Sequence, residues 1–190
     1  MQRIDFYKNL PLLETERLVL RKFTIEDVND YFEFASDSEV TKFLRWGPHP
    51  NKEYTSQYLQ RVLKDYSQGE DGPWGIELKT IKKIIGSIHI MRFNTYHKKA
   101  EIGFLLAQTH WKSGYMQEAL NKVLEYSFTE LSLNRIEALC IPDNHAAIRV
   151  VEKTGMQIEG TLRQYEFLKG NFVDVKLFSI LKADYVRRQG

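Results

Sequence analysis

The chain has 190 residues, 43% of them hydrophobic, with ten tyrosines and eleven phenylalanines. That is the length of one domain with enough apolar content for a sizeable core, which excludes a disordered chain. Its net charge of +2, from 27 basic against 25 acidic residues, is too balanced for a nucleic-acid footprint, so no direct nucleic-acid partner is expected.

No apolar run approaches the ~20 residues of a membrane span, and "MQRIDFYKNLPLLETERL" lacks the basic-then-apolar layout of a signal peptide. No membrane partner is therefore expected. The single cysteine, Cys140, cannot form an internal disulfide and fits a reducing, cytoplasmic setting. The histidines at 49, 89, 97, 110 and 145 are scattered without metal-ligand spacing, so no metal site is expected.

The first expected strand is Arg17–Phe23, "RLVLRKF", which alternates and puts Leu18 and Leu20 on one face. In "TIEDVNDYFEFASD" a cap at Thr24, with Asp27 three residues on, predicts a short helix. Tyr58, Leu59, Val62, Leu63 and Tyr66 recur at helical spacing in "NKEYTSQYLQRVLKDYSQG", and Gly69 ends that helix. After the turn-rich "GEDGP", the runs "WGIEL" and "IIGSIHIM" read as strands, joined as a hairpin through "KTIKK". Ala100–Leu106, "AEIGFLL", is apolar apart from Glu101 and reads as a central strand. A helix from Tyr115 to Leu131 has the clearest period. Met116, Ala119, Leu120, Val123, Leu124, Phe128 and Leu131 form one stripe, broken only by Ser127. "RIEALCI" is a strand. "PDNHAAIRVVEKTG" is a short helix capped at Asp143 or Asn144 and ended by Gly155. "MQIEGTLRQYEFLKGNFVDVKLFSIL" is two strands meeting at "KGN", a hairpin signal. No repeat or linker interrupts the chain. Residues 1–190 are therefore expected to form a single α/β domain, a mixed sheet with helices on both faces.

The junction "THWKSG" stands between the central strand and the most periodic helix. The first helical N–H groups lack intrahelical partners and sit at the positive end of the helix dipole, and Gly114 lets a ligand approach the backbone closely. Phosphate is the natural guest. The plainer alternative is that Gly114 eases a turn and Ser113 caps the helix. Neither G-x-x-x-x-G-K-[ST] nor G-x-G-x-x-G is present.

"TERLVLR", "IIGSIHI", "AEIGFLL…HWKSGYMQEAL", "RIEALCIPDNHAAIRVVEKTGM" and "IEGTLR" occur in one order. The ordered set, from about Leu12 to Leu181, resembles the GNAT superfamily of N-acetyltransferases, in its RimJ/RimL-like branch. The resemblance implies a mostly antiparallel sheet splayed between its fourth and fifth strands, with the pantetheine arm of acetyl-CoA lying between them. In that family a Q/R-x-x-G-x-G/A segment after the fourth strand holds the pyrophosphate through backbone N–H groups. Here the segment is Trp111-Lys112-Ser113-Gly114-Tyr115-Met116, so Lys112, Ser113, Gly114, Tyr115 and Met116 are the implied contacts. Met116 also belongs to the apolar stripe, which gives its side chain to the core. The resemblance places Phe104, Leu105 and Leu106 along the pantetheine arm, where one of their N–H groups would stabilise the oxyanion. Asn144 matches the family asparagine that faces the cofactor; its plain alternative is a helix cap. Three positions on, where family members often carry a serine that protonates the departing thiolate, this chain has Ala147. Tyr115 is a candidate substitute.

The acid–base candidates carry alternatives of their own. Glu166, in "RQYEFLKG", matches a glutamate that RimL-like enzymes place near the acceptor amine; otherwise it is a solvated residue before a hairpin. Glu101 is a charge on an apolar strand where several GNAT enzymes hold a base; otherwise it is a salt-bridge partner. Cys140 reads as inert core, and His145 as helix-start surface. The resemblance implies acetyl transfer from acetyl-CoA, without a metal, to an amine by direct attack in a ternary complex, with a protein N-terminus of ribosomal-protein type as the leading acceptor. A small-molecule amine is the alternative, and Ala147 keeps a non-catalytic acetyl-CoA-binding module open. Acceptor choice falls in "RWGPHPNKEYTSQYL" and "QYEFLKGNF". Dimers are common in the family, and the final hairpin offers a strand that can pair across subunits.

Overall fold

The computed structural model describes residues 3–189, with side chains from Asp5 to Arg188. Met1, Gln2 and Gly190, which include the ends of the expected domain and the start of the stretch read for a leader, lie outside the described residues. In chain order the elements are α1 (Arg3–Lys8), β1 (Leu13–Glu14), β2 (Leu18–Arg21), a 3₁₀ turn (Ile25–Asp27), α2 (Val28–Ala35), α3 (Ser38–Thr41), α4 (Lys52–Gln68), β3 (Trp74–Leu78) and β4 (Lys83–Asn94). Then follow β5 (Lys99–Leu106), a second 3₁₀ turn (Gln108–His110), α5 (Tyr115–Thr129), β6 (Arg135–Cys140), α6 (His145–Lys153), β7 (Gln157–Leu168), β8 (Asn171–Leu181) and α7 (Lys182–Gln189).

The strands form one sheet in the order β1-β2-β3-β4-β5-β6-β8-β7. Among the described residues its only parallel pair is β5 with β6; the others are antiparallel. Adjacent residues of β3 show how the faces are covered. The Trp74 ring meets Tyr126 of α5, while a Cβ on Gly75 would meet the Phe23 ring beside α2 at 2.9 Å. Successive strand side chains point to opposite faces, so α5 lies on one face and the α2 side on the other. Register carries this across the sheet: Trp74 pairs with Ile88, and Ile88 with Phe104. Phe104 therefore shares the α5 face, while Glu101, Gly103 and Leu105 share the α2 face.

Local sequence explains most elements. Thr24 and Asp27 form a capping box, with the Thr24 amide donating to Asp27 Oδ2 (2.7 Å). It opens the 3₁₀ turn that leads into α2. Asn51 caps α4 by accepting from the Tyr54 amide. Buried Thr55, Leu59, Val62 and Tyr66 make its inner stripe, and Gly69 ends it at φ +74°. In α5 the Ser127 hydroxyl, buried in the apolar stripe, donates to the Val123 carbonyl at 2.7 Å, so its burial leaves no orphan donor.

The structure differs from the sequence reading at four points. The first expected strand spans only Leu18–Arg21, because Phe23 turns into the core. Helix α5 stops at Thr129, two residues short of Leu131, whose amide still bonds Tyr126 before Ser132 takes φ +53°. The short elements α1, β1, α3 and α7 had no periodic signal to announce them. Ser113 is not the cap of α5: Gly114 is, and the Ser113 hydroxyl turns back to the Trp111 carbonyl (3.4 Å).

Gly86 is fixed by proximity. A Cβ there would stand 2.4 Å from the Leu105 carbonyl oxygen and 3.0 Å from the Leu106 Cα, both backbone atoms. Gly86→Ala must push β4 from β5, and a loss of about 1–3 kcal/mol is expected by analogy with overpacked cores. A urea melt with unchanged m-value checks this; an unchanged midpoint would show that the two strands part freely.

Candidate active site

The centre of the sheet is open. β5 and β6 pair only at Lys99↔Arg135, Ala100↔Ile136 and Glu101↔Glu137. Beyond that point β5 stays bonded to β4 as far as Leu106, and β6 to β8 as far as Cys140. The two strands thus diverge into a wedge. The two-residue β1 adds one to the strand count, so these are the fourth and fifth strands of the resemblance.

Ladder parity shows which groups face the wedge. The Ala107 amide donates to the Ile85 carbonyl (2.8 Å). Antiparallel pairs alternate between bonded and non-bonded positions, so the amides of Leu105 and Gly103 also face β4. Those of Phe104 and Leu106 face the wedge. The other edge agrees: the Asn134 amide donates to the Lys98 carbonyl (2.7 Å), which puts even-numbered β5 residues toward β6. Of the three residues placed along the arm, Phe104 and Leu106 present amides to the opening, and Leu105 presents its own to β4. Strand edges inside a protein need partners. An extended amide-bearing chain would supply them.

The wedge leads to the junction before α5. The Trp111 indole N–H donates to the Leu106 carbonyl (2.7 Å) and closes the loop onto the strand end. Lys112 (φ +63°) and Gly114 (φ +81°) are both left-handed. Gly114 gives the first turn no side-chain cap, which leaves its amides to outside partners. Lys112 and Ser113 are exposed, Tyr115 is half-buried and Met116 is 5% exposed. Met116 therefore belongs to the core and reaches the junction only by its backbone. Arg17 and Glu118, 101 residues apart, clamp this junction. The motif "TERL" names Arg17 without giving it a task, and nothing in the sequence pairs it with Glu118. Burial raises the Glu118 pKa, but hydrogen bonds from Thr15 and Arg17 outweigh it and hold the group below its usual range.

The two candidate bases come together. Glu101 is 7% exposed and bonded by Arg92 Nη1 at 2.7 Å. Burial raises its pKa, opposed by Arg92 and Arg45 and helped by Glu166 and Glu137. Glu166 is not solvated: Arg45 grips both its oxygens, through Nε (2.7 Å) and Nη2 (2.5 Å). Arg45 comes from the segment after α3, the first of the two acceptor regions. Buried His49 anchors that segment, with Nδ1 against Thr55 Oγ1 (2.8 Å) and its ring on Tyr31. Lys169, at the tip of the β7–β8 hairpin, reaches back to the Thr41 carbonyl (2.8 Å). The two segments expected to choose the acceptor are thus stitched together, and the charges of Arg45 and Glu166 both act on Glu101.

The remaining candidates separate. Asn144 caps α6, accepting from the Ala147 amide (3.1 Å), so only its side-chain N–H₂ is left for a ligand. Ala147 is half-buried against the core. Cys140 is buried and its thiol is pushed up to about 12 by that burial, which makes it inert. His145 is exposed. Among the described residues no cluster of three or more His, Cys, Asp or Glu side chains could hold a metal, and no helix is long and apolar enough to cross a membrane.

The mixed sheet with helices on both faces, splayed at its centre, has the fold of GNAT acetyltransferases. The acetyltransferase (GNAT) domain model matches residues 17–157. An uncharacterised N-acetyltransferase of Bacillus licheniformis, p20, is 36% identical over 173 residues, covering 91% of this chain and 97% of that protein. A GNAT-family acetyltransferase from Bacillus anthracis superposes with a TM-score of 0.81 at 29% identity, covering 91% of this chain and 99% of that one. Two relatives with named acceptors match shorter stretches. The spermidine N(1)-acetyltransferase of Vibrio cholerae is 33% identical over 107 residues (56% of this chain, 62% of that one). The ribosomal-protein-serine acetyltransferase of Escherichia coli is 32% identical over 97 residues (51% and 54%). The chain belongs to the GNAT family and is an N-acetyltransferase, which sets aside the reading as a non-catalytic module.

Proposed function

We propose that this enzyme transfers the acetyl group of acetyl-CoA to a primary amine by direct attack in a ternary complex, with a protein N-terminal α-amine as its preferred acceptor. The observation that carries the donor half is the wedge, with the Phe104 and Leu106 amides turned into it and the left-handed loop Lys112–Gly114 at its mouth. In this reading the pantetheine arm fills the wedge and the pyrophosphate meets backbone N–H groups of Lys112 to Met116. The Phe104 amide donates to the thioester oxygen as negative charge develops there. The Asn144 amide group supports the arm from the β6 side. Glu101 accepts the proton of the attacking amine. Arg45 holds Glu166, and this pair orients the incoming group. The carbon–sulfur bond then breaks, and sulfur leaves as thiolate; a thiol of pKa about 8.5 leaves without the serine that Ala147 replaces.

Charge balance supports the acceptor. Each candidate carboxylate, Glu101 and Glu166, already has an arginine, so a polycation gains little by entering. A protein α-amine has a pKa near 8 and asks for modest base catalysis. The ribosomal-protein relative agrees with this reading, and the spermidine relative supports the polyamine alternative. A thiol-release screen separates them. N-terminal peptides are expected to show kcat/KM at least tenfold above spermidine and aminoglycosides; spermidine as the best acceptor would overturn the peptide assignment.

A further inference from the structure

Arg17 is held at the mouth of the wedge by more contacts than a turn residue needs. Its backbone amide donates to Glu118 Oε1 (2.9 Å), its Nε to Glu118 Oε2 (2.6 Å) and its Nη1 to the Ser113 carbonyl (3.0 Å). The guanidinium lies over the Tyr115 ring, with Cζ 4.4 Å from the centroid. Thr15 Oγ1 donates to Glu118 Oε1 (2.5 Å), fixing the carboxylate that fixes the arginine. Nη2 stands 3.4 Å from where a Cβ on Gly114 would lie, and 40% of the side chain remains exposed. A rigid cation has therefore been placed over the N-terminus of α5. Glu118, the acidic residue of that first turn, answers the helix dipole and pairs with Nε, so the cation is held at the helix start by a neighbouring carboxylate. Both Glu118 oxygens are engaged by Thr15 and Arg17, and among the described residues Nη2 carries no hydrogen bond. An anion resting between Nη2 and the first-turn amides would be attracted from both sides. Arginine suits that task because its planar fork stays charged and can bond phosphate oxygens while its other nitrogens are held.

We propose that Arg17 is a pyrophosphate-binding residue, donating from Nη2 to coenzyme A, with Glu118 as its positioning residue. This rests on the reading that the Lys112–Met116 loop cradles the pyrophosphate. The test is calorimetric binding of CoA to the wild type, Arg17→Gln, Arg17→Lys and Glu118→Gln, with thermal melts of each. Turnover of S-acetylpantetheine, which lacks the pyrophosphate, provides a second readout. Arg17→Gln should raise the CoA Kd at least tenfold and flatten its salt dependence, while kcat/KM for S-acetylpantetheine stays within twofold. Arg17→Lys keeps the charge without the fork and should fall between. Glu118→Gln should weaken CoA less than Arg17→Gln does. An unchanged CoA Kd in Arg17→Gln and Arg17→Lys would overturn the proposal, and so would equal losses for CoA and S-acetylpantetheine, which mark a structural clamp. A wild type that fails to bind CoA at all would overturn the cradle reading itself, and this proposal with it.

Discussion

Gly114→Val is expected to raise the CoA dissociation constant by a factor of about 100 or more while lowering the melting temperature by no more than about 10 °C. The stability estimate follows from backbone strain. Gly114 holds φ +81° and ψ −2°, a region where a β-branched residue is strained by about 1–3 kcal/mol. For a chain of this size each kcal/mol moves Tm by about 2–4 °C. A Cβ would also touch Arg17 Nη2 at 3.4 Å, an ordinary contact that a guanidinium can accommodate. In the proposed cradle the affinity loss is larger, because the loop relieves its strain by rotating and rotation would disperse the amides meant for the anion. Its neighbour Lys112 is also left-handed, at φ +63°, so the two residues reorganise together. A factor of 100 corresponds to about 2.7 kcal/mol of lost binding. Calorimetry and a thermal melt on the same sample check both numbers. Parallel losses, with Kd rising only as the folded fraction falls, would return Gly114 to the role of a turn residue.

What the sequence could say about this site depends on distance along the chain. Caps and periods are local, and they hold: Thr24 with Asp27, Gly69 at the end of α4, the stripe of α5. The hairpins are local too. The wedge is not, because "AEIGFLL" and "RIEALCI" look like ordinary neighbours in a sheet, and only their three-residue pairing shows that they part. The clamp of Arg17 on Glu118 and the grip of Arg45 on Glu166 join residues 101 and 121 positions apart. No spacing rule reaches that far. The plainer alternative, Ser113 as a cap, fails for a related reason: a serine before a helix usually caps it, but a left-handed Lys112 turns the chain so that Gly114 takes the cap position. Glu101 lies between these cases. Its oddity, one charge in an apolar strand, was legible. Its neighbours, Arg92 across a bulge of β4 and Arg45 from the α3 side, were not.

Glu101→Gln is expected to lower kcat by about 10²–10³ with CoA affinity unchanged, and to leave the protein at least as stable as the wild type at neutral pH. The rate effect is the size usually lost with a general base. A base must be deprotonated to act, and burial raises the Glu101 pKa above the ordinary carboxylate range. The acidic limb of kcat/KM should therefore lie above that range in the wild type and vanish in the variant. Stability runs the other way. A carboxyl whose folded pKa is raised favours folding while protonated, and that contribution is lost as pH rises through its folded pKa. At neutral pH the wild type holds a buried charge that the amide of glutamine does not. Arg92 loses its partner but is half exposed and can turn to water, so little is lost on that side. A function-bearing group that costs stability is what a working base predicts. Glu166→Gln should behave differently. It frees Arg45, raises KM for the amine more than it lowers kcat, and keeps the acidic limb. If Glu101→Gln keeps its rate and limb while Glu166→Gln loses both, the roles of the two carboxylates are exchanged.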